Sequence, residues 1–72
     1  PADPRRDQLA ASAMLMLADA GTGQARCDQY RQAAAMASRG LAAKPDAELT
    51  GGLQSALTTA RSRAARASCG RI

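Results

Sequence analysis

A chain of 72 residues makes one small domain, and its 46% apolar fraction overstates its core, because 19 of those residues are alanine. Bulk comes from only seven Leu, three Met, one Ile and one Tyr, with Phe and Trp absent, and a domain this size buries only about 60% of the surface of its unfolded chain. The net charge of +4 is carried by nine Arg and one Lys, and the lack of any His removes the commonest general base and the commonest transition-metal ligand.

Alanine is the best helix former, whereas the β-branched and aromatic residues that strands favour are nearly missing. The expected fold is all-α: a small three-helix bundle over residues 1–72, with helices at about 4–20, 24–40 and 51–69 and a short extra turn near 45–50. Helix one starts at Asp3 as N-cap with Pro4 in the first helical position. Leu9, Ala13, Met16, Leu17 and Ala20 recur at helical spacing as its core stripe, widened by Ala10 and Met14. Gly21-Thr22-Gly23 then supplies the left-handed conformations of a C-cap and turn.

In helix two, Cys27, Tyr30, Ala34, Ala37 and Leu41 form the inner face. Gly40 is a plausible stop and Lys44-Pro45 a firm one. The third segment is ambiguous. Asp46 and Glu48 after Pro45 open a helix well, yet Gly51-Gly52 inside it would cost about 1 kcal/mol each. Leu49, Leu53, Leu57, Ala60, Ala64 and Ala67 hold a stripe across that pair. At 1.5 Å per residue, Cys27 to Leu41 is about 21 Å and Gly52 to Cys69 about 25 Å, whereas a helix from Asp46 would be about 35 Å and overshoot its neighbour. A main helix beginning near Gly51 fits better.

That antiparallel match brings Cys69 to Cys27, 42 residues apart in sequence. With no CxxC and no His, neither a redox pair of the usual spacing nor a zinc site is available. A structural disulfide is expected, and with it a periplasmic or secreted protein. Arg5-Arg6, the apolar stretch to Ala18 and Ala18-Asp19-Ala20 imitate a signal peptide, but Asp3 and Asp7 place acids where such a peptide is basic. The longest apolar run, Ala13 to Ala18, is far short of the ~20 residues of a transmembrane helix.

Catalytic chemistry lacks parts. Asp46 and Glu48 lie on different helix faces, and no nucleophile–base pair has a recognisable spacing, so neither an enzyme nor a cofactor is expected. Gly21-Thr22-Gly23 follows no strand and lacks the further residues of a phosphate loop. Met14 and Met16 lie about 200° apart on a helix and cannot share a soft metal ion. Helix one carries more large side chains than one face can bury, so the expected partner site is Met14, Leu15 and Met16, serving another protein or self-association. The alternative is a basic module for a polyanion (nucleic acid, anionic lipid or cell-wall polymer) using Arg61, Arg63, Arg66 and Arg71. One Tyr supplies no stacking platform for single strands.

The stretch "YRQAAAMASRGLAAKPDAEL" at Tyr30–Leu49 resembles the second helix and closing proline of a tetratricopeptide repeat, a likeness extending over residues 17–49. Gly21, Ala33 and Pro45 match the repeat's pattern, while Leu17, Ala20, Gln24 and Ala37 stand where it has Trp, Leu, Tyr and Phe. The resemblance implies a helical partner-binding module.

Overall fold

Three α-helices make up the computed structural model, which describes residues 3–72: α1 (Pro4–Ala20), α2 (Gly23–Ala42) and α3 (Ala47–Arg66). The bundle is 34 Å long and 17 by 15 Å across. The first two residues of the expected 1–72 domain lie outside those described. Local signals set the helix starts. Asp3 accepts a hydrogen bond from the Arg5 N–H at 3.1 Å, with Pro4 in the first turn, and Asp46 accepts one from the Leu49 N–H at 2.9 Å. Each satisfies an N–H that has no partner inside its own helix.

The glycine turn differs from expectation. Gly21 is extended (φ −93°, ψ 179°), and only Gly23 takes the left-handed conformation (φ 64°). Nor does Gly40 end α2, which continues to Ala42. Gly40 is instead a packing position: a Cβ there would lie 2.8 Å from Leu53 Cδ2 and 3.1 Å from Asp7 Cβ. All three helices meet at this point. The stop comes at Lys44 (φ 54°), whose N–H donates to the Leu41 carbonyl at 3.1 Å. Pro45 follows, with no N–H to extend the helix.

The expected separate turn at 45–50 is absent, because α3 begins at Ala47 and runs through Gly51-Gly52. The Asp46 cap, with the Thr50 hydroxyl donating to the Pro45 carbonyl at 3.2 Å, holds the first turn and offsets the glycines. The overshoot is avoided at the other end, since α3 stops at Arg66 instead of 69. The Ser68 and Cys69 N–H groups donate to the Ala65 and Ala64 carbonyls at 3.1 and 2.9 Å, a Schellman closure with Ser68 left-handed (φ 60°). α2 and α3 thus have 20 residues each and match in length at about 30 Å. Cys69 leaves the closure beside Cys27, and the two form a disulfide with Cα atoms 5.4 Å apart.

The core is built from small residues. Ala11, Ala18, Ala33, Ala37, Ala60 and Ala64 are fully buried, and Tyr30 and Leu53 are the only large side chains buried completely among the described residues. Small faces let helix axes approach closely. This explains the main departure from the sequence reading. The α1 stripe assigned to the core (Leu9, Ala13, Met16, Leu17 and Ala20) is exposed. The opposite face, with Asp7, Ala11 and Ala18 buried and Met14 and Leu15 partly buried, packs inward. Against the Ala33–Ala37–Gly40 surface of α2, a shallow face fits more tightly than one carrying Leu9 and Met16.

Candidate functional site

Asp7 and Asp19 fix how α1 sits on the other two helices. Asp7 is buried at 3% exposure, and its Oδ1 accepts two hydrogen bonds from Arg39, Nε at 2.9 Å and Nη2 at 2.6 Å. Its Oδ2 is buried without a partner. The hydrogen bonds from Asp7 and then its charge raise the Arg39 guanidinium above the usual arginine value, against weak opposing desolvation. At the other end of α1, Asp19 accepts from the Tyr30 hydroxyl at 2.7 Å and from Arg63. Arg26 lies over the Tyr30 ring, 5.7 Å from its centroid. These contacts join both ends of α1 to α2, and its last turn also to α3. They leave one orientation for its outer face.

That face is apolar. Leu9, Ala13, Met16 and Ala20 fall within a sector of about 60° on the helix, and Leu17 lies about 40° beyond it. Leu9 and Met16 are each 73% exposed and Leu17 51%. The three residues expected to form the partner site are therefore divided. Met16 is on the open face, whereas Met14 and Leu15 pack against the buried alanine clusters. Leu9 and Leu17, which the helical spacing predicts as core, share the exposed side with Met16 instead. The sequence holds two competing stripes of helical period, and the bulkier one faces solvent. Leu49 lines a cleft with Leu9, Arg5 and Gln8 and leaves Leu9 open.

The four C-terminal arginines do not form one patch. Arg63 pairs with Asp19 and shares a depression with Arg66, Thr58, Thr59 and Ser62. Arg61 and Arg71 lie together on another side of α3, in a groove shared with α2. Among the described residues, no group of three His, Cys, Asp or Glu side chains is placed to hold a metal ion, and no helix is long and apolar enough to cross a membrane. The chain matches no family model, no curated protein and no solved structure.

Proposed function

We propose that this protein is a small helical binding module, and not an enzyme, that docks another protein on the outer face of α1 within an oxidising compartment, the periplasm or the cell exterior. The observation that carries this reading is the alignment of Leu9, Met16 and Leu17 on a helix face left open in a bundle already short of large core residues. Clustered exposed apolar side chains mark interaction sites. A helix that turns Ala11 and Ala18 inward while Leu9, Met16 and Leu17 stay in solvent is built for a second surface. Arg5 and Arg6, both exposed at the start of α1, favour an amphipathic partner helix with acidic flanks. The disulfide supports the compartment, and the tetratricopeptide likeness of residues 17–49 points to the same class of activity.

The test is capture from the native source on immobilised protein, with Leu9→Glu/Met16→Glu as the paired bait. Partners held by the native face in high salt and lost on the variant support the proposal. The same proteins on both baits, or proteins released steeply by salt, refute it and favour the polyanion reading, because phosphate contacts weaken sharply with ionic strength.

A further inference from the structure

The segment after α3 folds back over the groove between α2 and α3. Two adjoining depressions of about 560 and 350 Å³ lie there, with Arg61, Arg71 and Ile72 lining both. Ala65, Ser68 and Gly70 complete the first, and Ala34, Ala35, Ser38 and Arg31 complete the second. Both volumes fall within the roughly 300–1,000 Å³ of ordinary ligand sites. The disulfide at Cys69 and the hydrogen bond from the Cys69 N–H to the Ala64 carbonyl hold this segment in place. Ile72 packs on the Ala18–Tyr30–Ala64 and Ala33–Ala34–Ala60 clusters.

We infer that this cleft binds an anionic amphiphile, a single carboxylate or phosphate carried on a linear apolar chain. The head is argued from charge. Arg61 and Arg71 are exposed, and among the described residues neither has an acid within salt-bridge distance. Arg31 at the far end is already paired with Asp28 at 2.8 Å. Two free guanidinium groups beside one opening suit a carboxylate or phosphate, whose oxygens match their planar fork. The tail is argued from the apolar lining, Ala34, Ala35, Ala65 and Ile72, interrupted only by Ser38, Ser68 and Gly70. Tyr30 is the chain's one aromatic residue and is fully buried, so a nucleotide base has no ring to stack on, whereas an alkyl chain needs only the apolar lining. The inference is independent of the α1 face, which lies elsewhere on the bundle.

Titration of the oxidised protein with decanoate, below its micelle threshold and followed by amide chemical shifts, tests it. Saturable one-to-one binding with shifts at Ala65, Ser68 and Gly70 is expected. Arg61→Ala/Arg71→Ala, two exposed positions, is expected to weaken binding by about tenfold or more while leaving the helical spectrum and melting temperature unchanged. Decanol and inorganic phosphate, each carrying half of the ligand's chemistry, are expected to bind at least about tenfold less tightly than decanoate. Equal binding of either, an unaffected double variant, or shifts centred on Leu9 and Met16 would overturn the inference. Adsorption to anionic phospholipid vesicles without a decanoate complex would overturn it equally, by placing the arginines at a membrane surface instead of a cleft. Met16→Glu is expected to leave decanoate binding intact, so the two proposals fail separately.

Discussion

At Gly40 an added methyl group would meet Leu53 Cδ1 and Cδ2 at 2.9 and 2.8 Å and Asp7 Cβ at 3.1 Å, whereas at Gly51 it would meet nothing within 4 Å. The same substitution therefore has opposite signs at two helical sites. Gly51→Ala gains helix propensity alone and is expected to stabilise the domain by up to about 1 kcal/mol. Gly40→Ala gains the same propensity but forces Leu53 or Asp7 aside, and a net loss of about 1–3 kcal/mol is expected from overpacking. Urea denaturation of the two variants checks both. Asp7 and Arg39 offer a second asymmetry. Arg39 is largely solvated, while Asp7 is buried with Oδ2 unpartnered. Arg39→Ala should then lower stability by leaving a buried acceptor group without its donors. Asp7→Ala/Arg39→Ala should cost less than Arg39→Ala alone, because the stranded carboxylate goes with it. If the double variant is the less stable of the two, Asp7 serves as packing volume and not as an anchor.

On α1, inner and outer faces can be told apart by substitution. Leu9→Glu and Met16→Glu are each expected to change stability by no more than about 0.5 kcal/mol, as solvated positions do, whereas Leu53→Asp places a charge among fully buried residues and should unfold the domain. Thermal melts followed by circular dichroism distinguish these outcomes, and a cooperative loss of stability in Met16→Glu would return that face to the core. The element boundaries show what a sequence can carry. Asp3-Pro4, Asp46 and Lys44-Pro45 act through their own neighbours, so the start of α1, the cap of α3 and the end of α2 are legible locally. Gly40 and Gly51-Gly52 are not. Whether a helical glycine breaks a helix or seats another depends on what packs against it, which is knowledge of the neighbouring helix. The same holds for α1, whose stripes at Leu9–Ala13–Met16–Ala20 and Asp7–Ala11–Met14–Ala18 both fit the helical period. Only the shallow alanine surface of α2 selects the second. Met16 belongs to the first stripe and also to the surplus of large residues on α1, and its exposure, like that of Leu9 and Leu17, follows only from that selection. The pairing of Arg61 with Arg71 across a cleft depends on a chain reversal that spacing along α3 does not contain.

For the whole molecule, the question is what keeps an alanine core folded. Tyr30 and Leu53 are its only completely buried large side chains among the described residues, and alanine burial returns little apolar area per residue ordered. The disulfide closes a loop with a sequence separation of 42, which on the chain-entropy account stabilises the fold by about 4 kcal/mol. That is a large share of the roughly 5–15 kcal/mol typical of folded domains. Reduction should therefore lower the melting temperature by roughly 15–30 °C, given the 4–8 °C per kcal/mol expected for domains of this size. Melts with and without reductant, with Cys27→Ser/Cys69→Ser as the control for incomplete reduction, measure it. The loss has a location as well as a magnitude. Residues 67–72 follow the last helix and are held by the Schellman closure, the disulfide and the packing of Ile72. The opposite end keeps Gly40, Leu53 and the Asp7–Arg39 pair regardless of the thiols. Hydrogen exchange on the reduced protein, in conditions where it stays folded, should show protection falling first around Cys27 and Cys69, with the amides around Gly40 last to exchange. A shift of only a few degrees, or a uniform loss of protection, would mean that the alanine packing holds the bundle without its staple.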